Sequence, residues 1–433
     1  VNMWSNCYAV INQANATIEG IKQAQEANVI TAANEIVYEA ELRFLRALAH
    51  HELVTHFSRP YTDGNGSALG VPYRDFAVNS ATAVTQAKLL PRGTVAEDYT
   101  KILADLDFAE ANLPATRSIT GAVAPSVTRA TKGAAIALKQ RVRLHQANWA
   151  AAATEGSKLI TGTTTFSSPV GGYVLMASQR AAFPGGAATT AENVFSIENR
   201  SDDNPGTNGA LANVYGSSAA PPTGISARAL LGVSPNLYNA SFFTCNDLRR
   251  TVMMQPDGVR TCYVIKKYTD AATSSDFAPL IRYAEVLLNQ AEALARTGTN
   301  DALALSLLNA VRNRSVTTAA DQYAAGSLTG TNLVRAILNE RRIEFIGEGK
   351  RWGDISRLSP DATYAPVTGG GIPAKFNGTV GGQVTLARYA CGNTALLTGQ
   401  SVSAVAYSAS LFLWPIPQLE IANNPALVQN PGY

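Results

Sequence analysis

The sequence predicts a mainly α-helical chain in which tetratricopeptide-like helical hairpins carry a large irregular, loop-rich face. Three observations lead there. Apolar residues recur at helical spacing in stretches towards both ends of the 433-residue chain. Small residues, alanine above all, occupy close-packing positions inside those stretches, as nested and stacked hairpins require. Between 161 and 276, and again from 361 to 410, periodicity gives way to Gly, Ser, Thr, Pro and Asn with isolated aromatics. The expected organisation is one domain, 1–433, with helical-repeat parts at about 1–160 and 278–358 and loop-rich, ligand-facing parts at about 161–277 and 359–433.

From Trp4 to about Glu26, the positions of Tyr8, Ile11, Ile18 and Ile21 mark one amphipathic helix. A second runs from Asn34 to about Phe57, with Val37, Leu42, Leu45, Leu48 and Val54 on its apolar side and Ala40, Ala47 and Ala49 permitting close approach. Their short polar connection makes an antiparallel hairpin. Turn chemistry in Arg59-Pro-Tyr-Thr-Asp-Gly-Asn-Gly-Ser67 and the extended Gly70-Val-Pro-Tyr-Arg74 place a surface loop next. Helical spacing resumes from Thr94 to Leu113, where Thr94 and Glu97 have the capping-box spacing. Lys132 to Ile160 splits near Asn148-Trp149 into two helices. Ala278 to Arg296 pairs with Asp301 to Arg314 across Gly298, and Leu333 to Ile346 pairs with Trp352 to Leu358. Leu411-Phe-Leu-Trp-Pro-Ile-Pro417 reads as a short apolar extended strip, because Pro415 and Pro417 bar it from a central strand.

Composition removes several function classes. Only 15% of residues are charged and the net charge is +3, which offers no electrostatic footprint for nucleic acid and no basic run for an anionic membrane surface. No apolar stretch is long enough to span a bilayer. The first residues show no secretory signal. Cys7, Cys245, Cys262 and Cys391 lack zinc-like spacing. Cys245 and Cys262 flank the turn-like Gln255-Pro-Asp-Gly258, so a disulfide between them and free buried thiols both fit, with three pairings open to four cysteines. His50 and His51 have no Glu or Cys at i+3 or i+4 to complete a metal site, and His56 suits a helix C-terminus. Asp63, Asp202 and Asp203 are candidate calcium ligands without EF-hand spacing, so no cofactor is expected. No nucleophile elbow, Walker loop or His-Glu-x-x-His occurs.

Charge, glycine and aromatic residues concentrate between Asn339 and Arg357. Glu340, Glu344 and Glu348 fall on one helix face, with Arg341, Arg342 and Arg351 in reach as partners and Asp354 and Arg357 spaced to pair. Gly347 and Gly349 mark a helix end, and Trp352 opens the next segment. Two carboxylates here suggest a glycosidase, with Glu344 and Glu348 as the pair. Arginines oppose that role, because they hold carboxylates ionised whereas a general acid needs a raised pKa.

The run Glu340-Arg-Arg-Ile-Glu-Phe-Ile-Gly-Glu-Gly-Lys-Arg-Trp-Gly-Asp354 resembles the C-terminal signature of the SusD/RagB family of outer-membrane nutrient-binding lipoproteins. Three further stretches match in order: Glu39-Ala-Glu-Leu-Arg-Phe-Leu-Arg-Ala47, Pro279 to Glu292, and the tail Leu413-Trp-Pro-Ile-Pro-Gln418 with Asn430-Pro-Gly-Tyr433. The resemblance covers both ends and leaves about Thr161 to Asp276 unmatched. It implies a SusD-like α/α superhelix of four hairpins, a non-enzymatic role, and a place on the cell surface of a Bacteroidetes-type outer membrane, lipid-anchored through N-terminal sequence that precedes residue 1. It also implies a SusC-like TonB-dependent barrel transporter as partner and an oligosaccharide or peptide as ligand. In that picture Glu340, Arg341, Glu344, Arg351, Trp352 and Asp354 are structural.

Sugars are neutral, rich in hydroxyls and apolar on one ring face, so they call for exposed aromatic platforms beside amide or guanidinium donors. Tyr61, Tyr73 and Phe76 in the first long loop, and Tyr215 and Tyr238 in the second, are the candidate platforms, with Arg74, Asn199, Arg200 and Asn236 as polar partners. The competing role for each aromatic is to pin its own loop to the scaffold. Resemblance adds Trp4 and Asn6 at the start of the first helix. Trp149, Trp352 and Trp414 are assigned to structure. A surface protein that uses the helical scaffold for assembly is the remaining alternative.

Overall fold

The structure, a computed structural model, describes residues 2–219, 227–378 and 384–433. Its scaffold is a helical array: α1 (Asn2–Glu26), α2 (Ala32–Phe57), α3 (Val95–Asn112), α4 (Lys132–His145), α5 (Trp149–Ser157), α6 (Tyr283–Thr297), α7 (Asp301–Arg312), α8 (Gly330–Glu344) and α9 (Lys350–Leu358). Each of α1 to α4 packs on the next, α4 packs on α5, and α6 packs on α5, α7 and α8. The array is therefore continuous in space across 125 residues of intervening loop.

Local chemistry sets the helix ends. Thr31, Ser80, Thr131, Asn148 and Asn300 each accept a backbone N–H in their helix's first turn. Thr94 and Glu97 form the full capping box of α3. Gly298 ends α6 in the left-handed region at φ 64°, which glycine adopts without a Cβ penalty. Along the array one apolar cluster runs from Trp4 and Phe44 through Leu106 and Leu138 to Leu287, Leu308 and Ile337.

Two expectations need correction. Residues 278–282 are not the start of a helix: Ala278–Arg282 is a strand, paired antiparallel with Asn193–Ile197, and α6 begins only at Tyr283. The partner strand lies some 80 residues away in sequence, and Pro279 lacks a helical N–H. The disulfide joins Cys245 to Cys391, with Cα atoms 5.6 Å apart, and leaves Cys7 and Cys262 free. Cys262 instead packs with Val264, Phe376 and Val384 under the loops, in the hairpin of Met254–Asp257 with Cys262–Ile265.

Candidate functional site

The 340–354 motif and the 279–292 motif are tied together by buried ion pairs, while the N-terminal motif forms a separate buried ion-pair cluster. Glu340, Glu344 and Glu348 do lie together, but their partners come from outside the segment. Arg249, approached by Asp247 at 2.7 Å, reaches Glu340 at 2.5 Å and Glu344 at 3.2 Å. Arg282 binds Glu344 at 3.0 Å and Glu348 at 2.7 Å and also bonds Glu192. Arg314 bridges Glu192 and Glu344 at 2.6 and 2.5 Å, and Lys267 meets Glu348 at 2.5 Å. The expected local partners behave differently. Arg341 turns to Asp354 at 3.0 Å and Asn289 at 2.6 Å, while Arg342 and Arg351 make no ion pair among the described residues. Arg342 lies over the Phe242 ring instead.

Beside this knot, Glu285, Asn289 and Glu292 on α6 face α4, α8 and α9. Arg141 pairs with Glu285, and Arg357 takes both oxygens of Glu292 at 2.7 Å while also meeting Asp354 at 2.8 Å, the spacing-based pair. In the N-terminal motif, Arg46 holds Asp105 and Glu41 is held by Arg117 and Arg129. The tail closes on the C-terminal end of α2, with Asn430 donating to the carbonyls of Phe57 and Trp414. Burial alone would raise the Glu344 carboxyl, but Arg314, Arg282 and Arg249 outweigh it and hold it at about 2. Glu348 is likewise lowered, against the push of burial, by Arg282 and Lys267. Neither is a general acid in this state, since protonation is what such an acid must hold near neutral pH.

The candidate binding residues do not converge. Trp4 is only 1% exposed and packs on Tyr8 and Phe57; Tyr73, 6% exposed, stacks on His50 and donates to Asp105. Neither is an exposed platform: helical packing took the first, and a buried hydrogen bond the second. Tyr61 leans on Tyr99, Arg74 covers Tyr8, and Asn15 donates to the carbonyls of Arg74 and Phe76, so these residues pin the 59–80 loop to α1, α2 and α3. In the second region Asn199 donates to the Asp276 carbonyl, Arg200 is exposed and pairs with Asp202, and Tyr215 sits near Tyr268. Tyr238, 9% exposed, is also no open platform, being covered by Tyr263 and Tyr389. Asn6 is exposed on α1 and lines a cavity. Trp352 donates to the Thr55 carbonyl and stacks near His56, as a structural residue does.

Sequence reasoning missed the assembly around Tyr238. Tyr238, Tyr263 and Tyr389 lie within 5.3 Å of one another, ring centre to ring centre. Around them Asn236 donates to the Ala374 carbonyl and accepts from Gln400, Asn239 donates to the Arg388 carbonyl, and the Cys245–Cys391 disulfide ties both loops. Tyr263 and Tyr389 keep partly exposed faces beside these amides, so aromatic and amide groups do meet on the loop-rich face. The pieces come from residues about 150 apart, and no local pattern signals that meeting. Among the described residues, no group of three or more His, Cys, Asp or Glu is arranged to hold a metal, and no helix is long and apolar enough to cross a membrane.

Known proteins share the motifs and the fold. Residues 247–433 match the model of the SusD family, and residues 1–144 match a SusD-like model described as starch-binding associating with outer membrane. This is a SusD-like family protein. SusD-like protein P2 of Formosa agariphila is 26% identical over 404 residues, covering 82% of this chain and 71% of that one. A SusD superfamily structure from Bacteroides fragilis superposes with a TM-score of 0.75 at 28% identity, covering 98% of this chain and 83% of the other. A laminarin binding SusD-like protein has a TM-score of 0.69 at 21% identity, covering 100% and 85%. Surface glycan-binding protein A from Bacteroides uniformis has 0.69 at 21%, covering 99% and 84%. The last two establish the fold. The motifs at 39–47, 279–292 and 340–354 each hold buried ion pairs, and the tail motif packs on the end of α2 through Asn430.

Proposed function

We propose that this SusD-like protein is a non-enzymatic cell-surface binding protein that captures an oligosaccharide on its loop-rich face and passes it to a SusC-like TonB-dependent transporter. The observation that carries this is the pairing of a SusD-like frame with a loop face where tyrosines and amides meet around Tyr238, Tyr263 and Tyr389. Ring faces and planar amides are what a neutral polyol needs from a binding surface. The depressed carboxyls of Glu344 and Glu348 speak for binding rather than hydrolysis. Relatives whose names state laminarin binding and surface glycan binding add weight to a glycan over a peptide. An outer-membrane position, with a lipid anchor on preceding sequence, is part of the same proposal.

Isothermal titration against a panel of soluble glycans, laminarin-derived oligosaccharides included, and against peptides tests the ligand class. Binding to a glycan without release of reducing ends is expected, together with co-purification of a TonB-dependent barrel from native membranes. Tight peptide binding with no glycan binding would overturn the ligand class. Reducing-end release that Glu344→Gln abolishes would overturn the non-enzymatic role.

A further inference from the structure

Buried arginines elsewhere in the molecule are satisfied: Arg249, Arg282 and Arg357 meet carboxylates, and Arg92 and Arg250 donate to backbone carbonyls. One cavity departs from that rule. Arg335, Asn339 and Arg342 follow one another by four and three residues on α8, so they share a face, and together with Arg351 on α9 and the segment 364–366 they line a space of about 140 Å³. The carboxylates at hand are already taken. Asp354, in the lining, is held by Arg341 and Arg357, and Asp361, bonded to the Tyr364 backbone, is held by Arg296. Arg342 and Arg351 are half-buried, and neither they nor the Asn339 amide have a hydrogen bond or ion pair among the described residues. Arg335 is exposed, and its one bond, to the Thr363 carbonyl, is 3.4 Å long.

We propose that this cavity binds a tetrahedral oxyanion, a sulfate or phosphate group, through Arg335, Arg342 and Arg351 with Asn339 as a fourth donor. A guanidinium fork meets such oxygens two at a time, and the charge on both partners strengthens each bond. Like charges gathered in a partly desolvated pocket repel one another, and an anion seated among them replaces repulsion with attraction. Burial and the charge of Arg351 push the Arg342 guanidinium down to about 10, and burial lowers Arg351 as well, whereas their carboxylates raise Arg249 and Arg357. Size selects the ligand. The cavity is smaller than the roughly 300 Å³ at which pockets for larger organic ligands begin, yet it has room for several waters at about 30 Å³ each, which suits a five-atom anion and not an oligosaccharide. Inorganic sulfate, inorganic phosphate and a sulfate ester on a sugar share this chemistry. None of the four donors belongs to the cluster around Tyr238, Tyr263 and Tyr389, so the site stands whether or not that face takes a glycan.

Isothermal titration of the 433-residue chain with sodium sulfate, sodium phosphate and glucose 6-sulfate, at one ionic strength set with sodium chloride, tests the site. Saturable binding of a single anion per chain is expected for at least one of the three, with affinity falling about tenfold or more in Arg342→Gln and in Arg351→Gln. Tighter binding of glucose 6-sulfate than of sulfate would support the site with a sugar ester as its ligand, and the reverse order would support it with a free anion. Should either variant fail to fold, Arg335→Gln at the exposed rim makes the same test, with a smaller loss expected. Sulfate also stabilises folded proteins generally by exclusion from their surface, so a rise in unfolding temperature supports the site only where the unmutated chain gains more than Arg342→Gln. No saturable binding of any of the three anions would overturn the proposal, as would equal affinities in the unmutated chain and all folded variants.

Discussion

The charged segment 339–357 and the loop-rich face invert what their compositions suggest. The first holds the densest carboxylates and arginines, yet every one of Glu340, Glu344, Glu348 and Asp354 is buried and bonded to a cation. The second carries its charges scattered rather than in one run, and it gathers the partly exposed Tyr263 and Tyr389 near the Asn236–Gln400 amide pair. A charge taken out of water is stable only when fully paired, so density of charge in a partly apolar segment signals a frame more often than a site. A neutral ligand asks for the opposite, a surface with donors, acceptors and ring faces but little net charge.

That contrast breaks most visibly if the frame is cut. Glu344→Ala leaves Arg282, Arg314 and Arg249 short of a shared carboxylate, and a loss of about 3–5 kcal/mol is expected in urea unfolding, enough to unfold a marginal chain. Next comes the clasp on the loop face. Cys391→Ser opens a link spanning 146 residues, and a loss of about 2–4 kcal/mol is expected, with glycan affinity falling as well because the Tyr389 loop is released. Equal affinity in the disulfide-free protein would remove the loop face from the site.

A third test uses pH. Burial pushes His50 down to about 3 and His51 to about 4, with Arg46 and Lys101 adding to it at His50, so the folded protein keeps both neutral. Stability from these groups is complete above their ordinary value of 6.5 and is lost as pH falls through 6.5 towards 4. Glu344 and Glu285, both held at about 2, add their loss only below their ordinary 4.5. Urea midpoints at pH 7, 5.5, 4 and 3 therefore fall in two stages, and His51→Leu flattens the upper one, between pH 6.5 and 4, by up to about 3 kcal/mol. A protein whose midpoint holds steady from pH 7 to 5 contradicts the histidine assignment. The smallest effects belong to unpaired arginines. Arg351→Ala is expected to cost less than about 1 kcal/mol, since it makes no ion pair among the described residues, and Tyr263→Ala is expected to lower glycan affinity with little change in unfolding.

Much of the scaffold was legible locally. Helical periodicity, the Thr94 to Glu97 box, the break at Asn148 and the stop at Gly298 all depend on neighbours within a turn or two, and each occurs where the spacing put it. The strand at 278–282 was not legible, because its partner lies in the loop region. The binding candidates fared worst. Tyr73 and Tyr238 carry the right chemistry, but exposure depends on what else the chain lays over a side chain.

By itself the sequence determined the helices, their caps, the SusD-like motifs and the need for each carboxylate in 339–357 to find a cation. Asp354 found Arg357 at the spacing the sequence set, but only the tertiary structure decided the cations of the three glutamates: Arg249, Arg282, Arg314 and Lys267 rather than the adjacent Arg342 and Arg351. It likewise decided the Cys245–Cys391 pairing and the tyrosines at the loop face. The physical reason is range. Helix formation is settled by hydrogen bonds four residues apart, whereas ion pairing, disulfides and exposure are settled by contacts between segments a hundred or more residues apart.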